Sequence, residues 1–260
     1  MRKITCFTVV LFLFAAGVVH AGQFGAATPN AKPGQVSQEV GYFRSEAKWT
    51  TSKGEPFDDG VLTQNQVYIQ AGYGLAPLWE GYFRVGGADA ELENAFADPE
   101  DSTLSDGIVP FVSLGVRGLL FDSEHFDVGA FAQGSYFAPY EDSKSYVDPD
   151  FGAIEETLKL KHLWDANVGM TLQGSIGKHC LYAGPVLYFG EAKLYTEAEA
   201  AAVPGLTDKS DGTYELDGNL GGIAGISLNL VHYLNLTVEG QYRGEEYSVG
   251  ASLAYLRFDL

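Results

Sequence analysis

Cysteine is close to absent: Cys6 lies in an apolar leader and Cys180 stands alone in the rest of the chain. One thiol closes no intramolecular disulfide, which excludes a disulfide-stapled secreted fold and a thiolate metal cluster. Basic residues are scarce too, with 16 Lys and Arg against 34 Asp and Glu, a formal net charge of −18. Phosphates are repelled by such a surface, so nucleic acid is not a partner. Beyond the leader no apolar run approaches the ~18 residues that a spanning helix needs. Catalytic motifs are missing as well: there is no G-x-S-x-G, no H-E-x-x-H and no phosphate loop. His125, His162, His179 and His232 are scattered, none with a His or Cys at ligand spacing. These absences give no catalytic, cofactor-binding or metal residue, and the chain reads as a non-enzyme.

What is present begins with Met1, Arg2 and Lys3, an apolar run from Ile4 to Val19, and a V-x-A end at Ala21. A short basic start, a hydrophobic stretch and a small-residue end make a secretory signal peptide over 1–21. The competing reading, an uncleaved anchor, has a run at the short end for a span and no stop-transfer flank. Cleavage before Gly22 leaves 239 of the 260 residues, enough for one closed sheet. It removes Arg2 and Lys3, so fourteen basic residues face 34 acidic ones, a net −20. The remaining organisation is a Gly/Ala/Pro lead-in over 22–35, without periodicity, followed by 36–260.

That last stretch is organised on a period of two. Val67, Ile69, Ala71 and Tyr73 alternate with Tyr68, Gln70 and Gly72; after a turn, Trp79, Gly81, Phe83 and Val85 alternate with Glu80, Tyr82 and Arg84. Apolar-polar alternation joined by a Pro-containing turn is a β-hairpin. The unit recurs. Leu158, Leu160, Trp164, Val168, Met170 and Leu172 alternate with polar residues in one strand, and Leu234, Leu236 and Val238 in another. About ten strands of roughly the 9–11 residues that a tilted membrane strand requires follow from this. The intervening segments alternate in length: long at 50–63, 89–106, 138–156 and 191–213, short at 75–78, 121–126, 174–178 and 231–233. An Ala-rich piece, 197–203, is expected to form a helical turn or two. Long connections on one rim and short ones on the other mark an all-β, up-and-down antiparallel transmembrane β-barrel.

Alternation does not say which face is inside. A soluble lipocalin-like barrel turns its apolar face inward around a ligand; a membrane barrel turns it out to lipid. The polar face here carries Gly, Ser, Asn, Gln and paired charges, which suits a wet, packed lumen. Aromatic residues gather near strand ends (Trp49, Tyr73, Trp79, Tyr136, Tyr188, Tyr214, Tyr242, Tyr247, Tyr255, Phe258), as interfacial girdles do. The chain also ends within an alternating strand, through Ala254, Leu256, Phe258 and Leu260. The Tyr73–Val85 hairpin and this last strand resemble the small outer-membrane β-barrel superfamily, which includes OmpA-type transmembrane domains and opacity-like surface proteins. The resemblance spans nearly all of the mature chain through generic motifs; the terminal residue is Leu260, where such strands usually end in Phe. It implies a monomer in the bacterial outer membrane. Its partners are then lipid and lipopolysaccharide, the latter through divalent cations, and the barrel-assembly machinery during biogenesis.

Two constellations remain. Glu80, Arg84, Arg117, Lys161, Asp165 and Glu239 share the polar face, with Glu80 and Arg117 at comparable depth on adjacent strands. They are either a gate or selectivity filter, or a structural network filling the lumen. Asp89, Glu91, Glu93, Asp98, Glu100, Asp101 and Asp106 form an acidic surface loop, either a hard-cation site or simply solvated. The expected function is an integral outer-membrane barrel with a structural or surface-interaction role and acidic extracellular loops. The alternatives are a narrow porin-like channel for small, preferentially cationic solutes and an outer-membrane hydrolase, for which His162 beside rim acids is the single candidate.

Overall fold

The computed structural model describes residues 24–51, 59–96, 102–148, 152–200, 207–216, 220–231, 234–244 and 246–259. Leader residues 1–21 lie outside the described residues, as do Asp98, Glu100 and Asp101 of the acidic loop. Twelve strands are described: β1 Gln35–Thr51, β2 Gly60–Ala76, β3 Trp79–Leu92, β4 Leu104–Phe121, β5 Asp127–Phe137, β6 Tyr140–Asp148, β7 Gly152–Ile176, β8 His179–Ala200, β9 Thr207–Leu216, β10 Leu220–Val231, β11 Leu234–Arg243 and β12 Glu246–Asp259. Every ladder between neighbouring strands is antiparallel, and β12 returns to β1 from Gln35↔Asp259 to Ser45↔Ser248, closing the sheet into a ring. We take the rim of short turns, where Gln35 and Asp259 meet, as the bottom.

The count of about ten strands is thereby corrected to twelve. The two extra strands, β6 and β9, lie where long loops were expected, and both extend the wall upward. β7 pairs with β5 as far as Tyr136↔Trp164 and then with β6 from Tyr140↔Leu160. The break between β5 and β6 falls at Ala138 and Pro139, where proline has no N–H to give a ladder. Likewise β8 pairs with β10 below, at Leu220↔Leu187, and with β9 above, at Glu191↔Glu215. The Ala-rich stretch expected to be helical runs as strand through Ala200. Above the ends of β10, β11 and β12, β9 crosses to β1 and pairs Trp49↔Leu216 and Thr51↔Tyr214. The barrel therefore has a lower part and a narrower upper extension.

The two parts have opposite polarity. In the lower part Ile69 is 63% exposed and Leu172 58%, with Val67, Leu114, Val168, Met170 and Leu187 also turned outward, while Gln70, Arg84, Arg117, Gln133, Gln173 and Glu239 are buried inside. In the extension Leu62, Leu92, Leu104, Tyr140, Leu158, Leu160 and Leu194 fill the interior, and the outer face carries Glu91, Glu141, Lys193, Glu197 and Lys209. In β7 the change is a switch of phase: a bulge between Lys161 and Trp164, with His162 at φ 55°, puts two outward-going residues out of step. Leu158, expected on one face with Trp164 and Val168, is 0% exposed inside the extension. β2 and β8 keep their phase, and their composition changes instead.

The aromatic residues divide by the same rule. Tyr73, Tyr136, Tyr242, Tyr247 and Tyr255 are exposed on the outer wall, and Tyr136 pairs directly with Trp164 near the junction of the two parts. Trp49, Tyr188 and Tyr214, expected in a girdle, are buried in the interior.

Candidate functional site: a luminal charge network and its plug

Alternation in β2, β3, β4 and β11 sends every second side chain into the lower lumen, and register then decides which ones meet. Glu80 faces Arg117 across β3–β4, and Arg84 faces Gln70 across β2–β3. Arg84 is 2% exposed; its Nε and Nη2 donate to Gln70 Oε1 at 3.2 and 2.8 Å, and its guanidinium lies 3.8 Å above the Tyr68 ring. Gln70 Nε2 donates onward to Glu39 Oε2 at 3.1 Å. Arg117 Nη2 lies 3.5 Å from Glu80 and 3.7 Å from Glu39. Glu239 accepts from Tyr182 Oη at 2.8 Å and Gln241 Nε2 at 2.9 Å. Buried charges are costly unless paired and hydrogen-bonded, and here each carboxylate has several donors.

Glycines make the room. A Cβ at Gly72 would lie 1.8 Å from Glu80 Oε1, and one at Gly41 2.4 Å from the Tyr68 ring. The bare backbone at these positions lets a carboxylate and a phenol lie flat against the wall.

The lead-in enters the lower lumen as a plug. From Gln35 at the bottom rim the chain runs back up to Phe24, whose ring stacks on Phe131 with centroids 4.4 Å apart. Phe24 N and Gly25 N donate to the Glu239 carboxylate at 3.3 and 2.8 Å, and Asn30 N and Ala31 N to Glu80 Oε2. Arg117 Nη1 donates to Phe24 O at 3.1 Å, and Thr28 Oγ1 to Gln173 Oε1 at 2.9 Å. Phe24, Ala27 and Ala31 are buried. Two luminal carboxylates thus each bind a pair of neighbouring plug amides. A polar cavity of ≈ 260 Å³ remains beside the plug, lined in part by Thr28, Asn30, Glu39, Arg117 and His179.

Of the six charged residues expected to share the lumen, Glu80, Arg84, Arg117 and Glu239 gather in this network. Asp165 lies inside but higher, bonded by Asn167 Nδ2 at 3.0 Å and lining a cavity of ≈ 50 Å³ with Trp49 and Tyr188. Lys161 is not luminal: the β7 bulge places it on the outer face of the extension, opposite Lys193 and 5.0 Å from the Tyr195 ring. The described members of the acidic loop are likewise dispersed. Asp89, Glu91 and Asp106 are strand residues, Asp89 accepts from Asn65 N and Nδ2 at 2.7 and 3.0 Å, and Glu93 lies in the turn after β3. Among the described residues no three His, Cys, Asp or Glu side chains converge as metal ligands would. His162 stands on the outer wall beside Tyr136 Oη, 3.4 Å away, rather than in a carboxylate cluster. Sequence reasoning missed Glu39, Tyr68, Gln70 and Tyr182. Glu39 was visible only as a polar residue in phase with Ser37 and Gly41; the plug gave no periodic signal at all.

No family model and no curated protein matches this sequence. Solved structures do resemble it. The translocator domain of the autotransporter NalP from Neisseria meningitidis superposes with a TM-score of 0.50 at 12% identity, over 86% of this chain and 88% of that one. The outer membrane protease OmpT from Escherichia coli gives 0.46 at 12% identity, over 86% and 97%. The outer membrane protein OprG from Pseudomonas aeruginosa gives 0.40 at 7% identity, over 88% and 99%. At such identities the likeness to the NalP domain concerns the fold, an antiparallel β-barrel.

Proposed function

We propose that this chain is an integral barrel of a bacterial outer membrane, shut along its length, that acts through the outer surface of its extension rather than by catalysis or conduction. The apolar outer wall of the lower part, bordered above by Tyr136 and Trp164, suits acyl chains. The reversed polarity of the extension suits water. Lipid, lipopolysaccharide and, during biogenesis, the barrel-assembly machinery are then its partners, and the acidic outer face is the surface a ligand meets first.

One observation carries the closed reading: the lumen is filled at successive levels. The plug fills the lower lumen together with the Glu80–Arg117 pair that binds it, Arg84 and Gln70 lie one step higher, and Leu62, Leu92, Leu104, Leu158 and Leu194 pack the top. Planar-bilayer recording tests it. The purified protein is expected to give no ohmic steps; cation-selective steps would sink the reading in favour of a narrow channel. Outer-membrane fractionation with heat-modifiable gel mobility tests the location, and recovery in the osmotic-shock fluid would refute it.

A further inference from the structure

The wall of the extension is not laddered all the way round. β4 pairs with β5 only from Phe111↔Phe137 downward, and above that point β4 faces β6. No ladder joins these two edges among the described residues. Their backbone groups are instead capped by two aspartates in a nearly symmetric arrangement. Asp106 accepts from Gly107 N on its own strand at 2.6 Å and from Glu141 N across the seam at 2.7 Å. Asp142 accepts from Ser143 N on its own strand at 2.8 Å and from Ser105 N across the seam at 3.0 Å. Lys144 Nζ completes the join by donating to Thr103 O at 2.6 Å, with its ammonium 4.9 Å from the Phe96 ring. Behind the seam lie Leu104, Phe96, Phe137 and Tyr140 of the apolar core.

From this geometry we infer that the β4–β6 seam is a latched opening in the wall of the extension, with Asp106 and Asp142 as the latch. A backbone ladder distributes cohesion over many residues, and changing one side chain hardly weakens it. Here two carboxylates serve four amides on two strands, and each spans the gap once, so the loss of either removes half of the amide-to-carboxylate bridges. The unpaired edge is the part of a sheet from which opening starts. Opening at this place uncovers the Phe96–Tyr140 side of the core and four strand-edge amides, without disturbing the β1–β12 closure below.

Hydrogen exchange on the intact protein in micelles, read by mass spectrometry, tests the latch. Asp106→Asn and Asp142→Asn each replace one acceptor oxygen by an NH₂ group, which cannot accept from an amide. Each variant is expected to exchange about tenfold faster over Leu104–Pro110 and Tyr140–Val147, with the β1–β2 ladder over Val36–Phe43 unchanged. The unchanged ladder shows that the barrel has folded. Parent-like exchange in both seam segments overturns the proposal. So does acceleration of equal size in every strand, because the aspartates would then support the whole wall rather than one seam.

Discussion

Glu80 shows how much one side chain can hold at the centre of this protein. It is 0% exposed, accepts from Ser37 Oγ at 2.7 Å and from two plug amides, and forms an ion pair with Arg117 Nη2 at 3.5 Å. Truncation leaves Arg117 buried with Glu39 as its remaining carboxylate, so Glu80→Ala should cost about 3–5 kcal/mol, the usual result of breaking a buried pair from one side. The temperature at which the compact gel form converts to the extended form reads this. Adding Arg117→Met should restore part of the loss, because the stranded charge goes with it. Gly72 gives an independent check. An alanine Cβ would overlap Glu80 Oε1 and lie 2.4 Å from Ser37 Oγ, so Gly72→Ala should destabilise the parent by about 1–3 kcal/mol and by distinctly less once Glu80 is alanine, when the Ser37 hydroxyl is the overlap that remains. Equal effects in both backgrounds would mean that Gly72 is needed for some other reason.

At the scale of the strand, β7 carries the contrast between the two parts. Its outward residues are Val168, Met170 and Leu172 below the bulge, and Thr157, Lys159 and Lys161 above it. A charge facing hydrocarbon near its mid-plane costs about 2–4 kcal/mol, whereas one facing water costs close to nothing. Val168→Lys should therefore depress folding into lipid vesicles by about that amount, and Thr157→Lys should leave it unchanged. A similar penalty at both positions would place the extension in the bilayer. The same strand explains what its sequence did and did not disclose. Existence and period were legible from Leu158 to Leu172, because alternation needs only neighbours. The phase switch at His162 and Leu163 was not: one extra residue at the bulge exchanges the two faces just where the polarity of inside and outside exchanges, so Leu158, Leu160, Trp164 and Val168 all keep even positions and the alternation looks continuous. β6 and β9 were hidden for a related reason. Stretches such as Tyr140–Asp148 expose polar side chains on one face and bear turn-like Asp and Ser, so they resemble loops until their partners are in place. Of the candidate site, the Glu80–Arg117 pairing was readable from phase and depth, while Glu39 and the plug depended on long-range contacts that no local pattern encodes.

For the whole molecule, the polarity reversal decides what the lumen can do. A polar lower lumen alone could be a wet passage with a removable stopper, and the plug would then be a gate. The apolar interior of the extension argues otherwise, since Leu158, Leu160 and Leu194 pack the space above the network with hydrocarbon, which an ion crosses only at high cost. The plug is in that case a structural member that satisfies Glu80 and Glu239 from below. Deleting Phe24–Pro33 tests the distinction directly. It removes four amide donors from two buried carboxylates and the Phe24–Phe131 stack, so the gel-shift transition should fall by at least about 10 °C, as for a loss of several kcal/mol in a chain of this size. In planar bilayers the deleted protein should remain silent, because the upper core still closes the barrel. If the deletion instead yields steady, cation-selective conductance in an otherwise folded protein, the plug is a gate and the apolar core of the extension is not a seal.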